Sequence, residues 1–130
     1  MAASPDWYEL RTLVMGKMFS EAAALLEQKP DLRSSVNGLG ETVFHYVAVE
    51  NDAQGVAWLF SQGFDINARN AFGVPAVFEV ALLDCKDLLQ WFIANGADMK
   101  CRDNEGQNIK EYVLNSGNEE IAKHLESLGI

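Results

Sequence analysis

Apolar residues fall in short clusters along the chain, each spaced like one face of a helix. Phe44, Val47 and Ala48 stand at i, i+3 and i+4, a single helical stripe. Val56, Leu59 and Phe60 form the next stripe after the polar pair Asn51-Asp52, and Leu88, Leu89, Phe92 and Ile93 form another. Near the start, Ser4-Pro5 reads as an N-cap followed by proline at the first helical position. Trp7, Leu10 and Val14 give the apolar face behind it, and Ser20 opens a second helix through Leu25 and Leu26. Gly40 supplies a turn, and Thr42 can cap a helix start by accepting from an unpaired backbone N–H. Gly63 and Gly96 end helices, as left-handed residues just past a C-cap do. The pattern predicts an all-α chain of short helices in pairs.

The pairs repeat. A shift of 33 residues superimposes Asn37 on Asn70, Gly40 on Gly73, Val47 on Val80 and Ala48 on Ala81. It also superimposes Trp58 on Trp91, Gly63 on Gly96, Asp65 on Asp98 and Arg69 on Arg102. Those are eight identities, where ordinary composition gives about two by chance. A third copy starts at Asp103, with Gly106, Val113, Leu125 and Gly129 in register. Helices this short cannot bury their apolar sides alone, so the copies must stack.

The residues that match resemble a known family. Gly40-Glu41-Thr42-Val43-Phe44-His45-Tyr46-Val47-Ala48 is similar to the ankyrin opening G-x-T-P-L-H-x-A-A. Gly63-Phe64-Asp65-Ile66-Asn67-Ala68 and Gly96-Ala97-Asp98-Met99-Lys100 resemble its closing G-A-D-V-N-A. The resemblance covers residues 37–130, with a degenerate copy around Ala22–Leu32 in which one residue is inserted, since Asp31 precedes Asp65 by 34. It implies one domain, an ankyrin-repeat α-solenoid of stacked helix-turn-helix units. Its copies would be an N-terminal cap repeat 1–36, repeats 37–69 and 70–102, and a C-terminal cap repeat 103–130. One departure stands out. Val74-Pro75-Ala76-Val77-Phe78 lacks the Thr and His and carries its proline one position early, which predicts an altered start to that first helix.

Charge narrows the function. Nineteen Asp+Glu against ten Lys+Arg give a formal net charge of -9. That field repels phosphate backbones and anionic membranes, and speeds encounter with a basic protein. Solubility alone is the plain alternative. No apolar run approaches the ~20 residues of a membrane span, and Met1 to Trp7 lacks the pattern of a secretory signal. Cys85 and Cys101, taken as reduced thiols, fit a cytoplasmic protein.

Candidate chemistry is sparse. The ankyrin resemblance implies that His45 is structural, holding the turn between copies. His124 takes the position of Trp91 one copy earlier. The two histidines stand 79 positions apart with no cysteine pair beside them, so no metal is expected. No phosphate-binding glycine loop or zinc-protease motif is present, and no cofactor is expected. A thiol enzyme using Cys85 or Cys101 is the weakest of three functional readings.

The resemblance instead implies a protein-binding module. Ankyrin-family proteins hold partners on a concave face of turn tips and first-helix residues. Those positions here are Leu39, Glu41, Val49 and Glu50, then Phe72, Val74, Leu82 and Leu83, then Glu105 and Gln107, with Asn104, Asn115 and Ser116 beside them. The apolar members are either the centre of an interface with a charged rim, or an extension of the core. The reading is a monomer, not an enzyme, that inhibits or neutralises a basic protein, as small ankyrin-type immunity proteins neutralise toxins. A structural subunit of a larger complex is the alternative.

Overall fold

A computed structural model describes residues 4–130. Eight α-helices and no strand occur among the described residues: α1 (Pro5–Met15), α2 (Phe19–Gln28), α3 (Val43–Val49), α4 (Ala53–Ser61), α5 (Ala76–Leu82), α6 (Lys86–Ala94), α7 (Ile109–Asn115) and α8 (Glu119–Ser127). From α3 onward the pairs keep one register. α3, α5 and α7 each have seven residues and begin at 43, 76 and 109. α4, α6 and α8 each have nine and begin at 53, 86 and 119. Both sets advance by 33. In the N-terminal pair, α2 begins 34 residues before α4 and α1 ends 34 before α3 does, α1 being four residues longer at its start. The pair's extra residue falls between Asp31 and Asn37, beside a short 3₁₀ turn at Pro30–Arg33.

Side-chain caps start five of the eight helices. Ser4 Oγ accepts from the Trp7 backbone, Thr42 Oγ1 from His45, Asp52 Oδ1 from Gly55 and Asn118 Oδ1 from Ile121. Asn108 and Glu111 close a reciprocal capping box at the start of α7. Pro75 stands at the N-cap of α5 and offers no side-chain acceptor. The altered start predicted there is limited to that lost cap, because the bounds of α5 match those of α3 and α7. At the other end of the chain, α2 begins at Phe19 with Met18 as an N-cap that makes no side-chain bond. Ser20 is therefore inside the helix and does not open it.

Stacking supplies the core. The first helices α1, α3, α5 and α7 contact one another in chain order, and each packs on its own second helix. Phe44, Val47, Ala48, Phe78, Val80, Ala81, Ile109 and Val113 are all buried in one continuous cluster. Aromatic pairs join neighbouring copies: Phe44 with Phe92 at 5.7 Å, Phe60 with Trp91 at 5.4 Å and Phe78 with Tyr112 at 5.4 Å between centroids. Trp7 is fully buried, and its indole N–H donates to the Glu41 carbonyl at 3.2 Å, tying the N-terminal pair to the next turn.

Three turns separate the pairs, and they share one construction. Asn37 Oδ1 accepts from the Leu39 and Glu41 backbone, Asn70 Oδ1 from Phe72 and Val74, and Asp103 Oδ1 from Glu105 and Gln107. The second and third turns each bond to the one before. The Ala71 N–H donates to the Leu39 carbonyl at 2.9 Å, and the Asn104 N–H to the Phe72 carbonyl at 3.1 Å. Gly73 (φ 73°) and Gly106 (φ 78°) adopt the same left-handed backbone, but their surroundings differ. A Cβ on Gly73 would lie 2.8 Å from the Asn104 backbone nitrogen, whereas one on Gly106 meets nothing within 4 Å.

This contrast sets a test. Gly106→Ala should cost the left-handed penalty alone, about 1–2 kcal/mol. Gly73→Ala should cost more, because the turn that follows must move. Equal losses in urea unfolding would show that the close approach of the two turns contributes nothing.

Candidate functional site

The turns and the first helices enclose an open cavity of about 430 Å³. Leu39, Phe72, Asp103, Asn104 and Glu105 line it from the turns, and Glu41, Val74 and Gln107 from the residues leading into the helices. Asn70, Glu79 and Tyr112 complete the lining. Residues of three successive copies meet there because the turns bond to one another.

Six of the ten candidate positions from the sequence therefore converge: Leu39, Glu41, Phe72, Val74, Glu105 and Gln107. They do not play one role. Leu39 and Phe72 are 57% and 62% exposed, as an apolar contact requires. Val74 is only 6% exposed and Glu41 only 7%. Those two were expected on an open face, but the turn curls them inward. Val74 joins the core, and Glu41 accepts from Asn37 Nδ2 at 2.9 Å. Val49, Glu50, Leu82 and Leu83 sit at the far ends of α3 and α5 and do not reach the cavity. Of these, Leu82 is half-buried against the core, so the core-extension alternative applies to it. Leu83, the next residue, is 52% exposed, and Glu50 is exposed as well.

Behind the lining residues Glu41, Asn70 and Glu79 lies a polar cluster that the sequence did not reveal. His45 is 1% exposed, and its Nε2 lies 3.2 Å from Glu79 Oε1 and 3.7 Å from Glu41 Oε2. Asn70 Nδ2 also donates to Glu79 Oε1, at 3.3 Å. His45 was expected to hold the turn between copies. Its ring instead bridges α3 to Glu79 on α5. Only its backbone N–H meets the local Thr42. Its Nδ1 is buried without a partner, an arrangement that costs about 1–3 kcal/mol.

Glu41, His45 and Glu79 bring one ligand atom each to within 4.8 Å of one another. An imidazole and two carboxylates suit zinc or a similar divalent ion. The second nitrogen of a metal-bound histidine is ordinarily held by an acceptor, and His45 lacks that support.

Electrostatics are one-sided. Glu41, Glu79, Asp103 and Glu105 line the cavity, with no lysine or arginine in the lining. Among the described residues none of the four forms an ion pair with lysine or arginine. Burial, then the charges of Glu79 and Asp103, push the Tyr112 phenol up. Elsewhere, burial and Asp84 push the Cys85 thiol up. Burial also raises Cys101, against the opposing charge of Arg69. Neither thiol is drawn toward the reactive thiolate. Both should therefore react with a mild thiol reagent more slowly than a free cysteine at neutral pH, and faster labelling of either would reopen a nucleophilic role.

No protein-family model matches this sequence, and no curated protein matches it either.

Asp103 offers a pH test of the turn geometry. Burial pushes its carboxyl up, but hydrogen bonds from the Gln107 backbone and side chain and the Glu105 backbone, with the charge of Arg69, outweigh it. The folded value falls below the ordinary one. A depressed folded value stabilises the fold above the unfolded value, and that contribution is lost as pH falls through the folded value. Asp103→Asn keeps the acceptor that Asn37 and Asn70 use and removes the titration, with Gln107 turning its amide to match. The variant should lose less stability than wild type as pH falls below about 4, read as the acid midpoint of unfolding by circular dichroism. An unchanged acid midpoint would contradict the role given to the Asp103 hydrogen bonds.

Proposed function

We propose that this chain is an ankyrin-repeat α-solenoid that binds a basic protein through its turn and first-helix face, and inhibits or neutralises it. The single observation that carries the reading is the pairing of exposed Leu39 and Phe72 with four carboxylates around one cavity. Isolated apolar residues on a surface are ordinary, whereas an apolar pair with a charged surround has the layout of an interface. The 33-residue register of the helix pairs supports the ankyrin part of the proposal. The net charge of -9 supports a basic partner over nucleic acid.

Within this reading the protein is a monomer when free, works without a cofactor, and acts by occupying its partner. Immunity against a toxin is one form such neutralisation takes. Two free cysteines fit a cytoplasmic setting. No helix among the described residues is long and apolar enough to cross a membrane. The raised thiols count against thiol catalysis.

Affinity capture from a lysate of the source cell tests the face. Leu39→Ala combined with Phe72→Ala should lower recovery of the bound protein about 30-fold or more, the loss of an interface anchor of about 2 kcal/mol. Leu83→Ala, away from the cavity, should leave recovery unchanged. The opposite pattern would move the contact to the helix ends. Equal capture by wild type and both variants would remove this face altogether.

A further inference from the structure

We infer that the cavity is a receptor for one arginine side chain of the partner. This rests on the reading of the turn and first-helix face as the contact surface, and adds the chemistry that it selects.

The cavity has unfilled acceptors. Each carboxylate offers about four acceptor sites. Among the described residues Glu79 takes both of its hydrogen bonds on Oε1, from His45 and Asn70, and none on Oε2. Glu41 takes one, from Asn37. The Glu105 carboxylate takes none from the described residues and stays exposed. These acceptors come from three successive copies: Glu41 and Glu79 each bring a carboxylate oxygen to within 4.8 Å of the other's, and Glu105 adds one from the next turn. No lysine or arginine lines the cavity to offset these carboxylates, and a partly buried site strengthens the attraction of an incoming cation. Burial first, and then the charges of Glu79 and Asp103, push the Tyr112 phenol up.

Several acceptors beside an aromatic face favour guanidinium over ammonium. Guanidinium is planar, carries five donors in a fixed fork and is weakly hydrated, whereas ammonium is a compact, strongly hydrated point charge. Guanidinium also stacks on aromatic faces. Phe72 presents such a face at 62% exposure, and Tyr112 lies half-buried in the same lining. Leu39 offers an apolar surface for the methylene stem. A volume of about 430 Å³ is ample for one such side chain and sits within the range of small-ligand sites.

The probe is Nα-acetyl-arginine amide, titrated into the ¹⁵N-labelled full chain at physiological salt. Saturable millimolar binding is expected, with shifted amides confined to the 39–41, 70–74 and 103–107 turns and to Glu79 and Tyr112. The neutral citrulline isostere should produce no saturable shift. The lysine amide should bind about fivefold or more weakly. Phe72→Ala and Glu105→Gln change exposed side chains and leave the fold intact. Each should weaken arginine binding about three- to fivefold. Shifts scattered over the acidic surface, equal binding of lysine or citrulline, or variants that bind like wild type would each overturn the inference. Failure here with capture still lost in Leu39→Ala/Phe72→Ala removes the arginine receptor and leaves the contact face standing. A saturable arginine site with capture unaffected keeps the receptor and removes that face as the partner's.

Discussion

One backbone hydrogen bond ties each of the last two turns to the turn before it, from Ala71 N–H to Leu39 carbonyl and from Asn104 N–H to Phe72 carbonyl. An Asn or Asp side chain locks each turn by accepting two of its own backbone N–H groups. The shape of the turn is thus set locally, and its place is set by its neighbour. The helices depend on this arrangement. Seven residues make two turns of helix, far below the ~12–15 at which an isolated helix becomes marginal. Only the stack buries their apolar sides, and the turns hold the stack in register.

The same constraint builds the site. Because successive turns lie side by side, Leu39 and Phe72 line one cavity although 33 residues part them. The polar cluster follows from the packing of α3 on α5. His45 on one helix meets Glu79 on the next, and Asn70, already the lock of its turn, donates to the same oxygen. The group that ties two copies together is therefore also the wall of the cavity. A change in charge at the cavity would be felt in the stacking, and a change in stacking would be felt in the cavity. The unpartnered Nδ1 of His45 marks a local cost kept within an otherwise satisfied core.

Much of this was legible beforehand. Periodicity placed the helices, the glycines and capping residues marked their ends, and self-similarity found the 33-residue register. These are local properties or exact repetitions of them, so a linear reading captures them. The site was only half legible. Leu39, Phe72, Glu105 and Gln107 reach the cavity as expected from their places in the repeat. Val74 and Glu41 share that placement yet are buried, Val74 in the core and Glu41 against the Asn37 side-chain amide. Leu82 and Leu83 are neighbours in sequence and differ in burial, since one residue along a helix rotates the side chain by about 100°.

Glu79 and Tyr112 had no signal to announce them, and Asn70 stood out only as the repeat partner of Asn37. Each looks like an ordinary residue of its own copy, and each matters through a residue of another. The amino-acid sequence by itself determined an all-α chain of short helix pairs, their caps, their spacing and an acidic surface. The tertiary structure alone decided which carboxylates share a cavity, which apolar residues stay in water, and that the His45 ring makes its hydrogen bond across to Glu79 on the next first helix. Those outcomes depend on contacts between residues more than 30 positions apart. Such contacts come into being only when the copies stack, and no local pattern of residues encodes them.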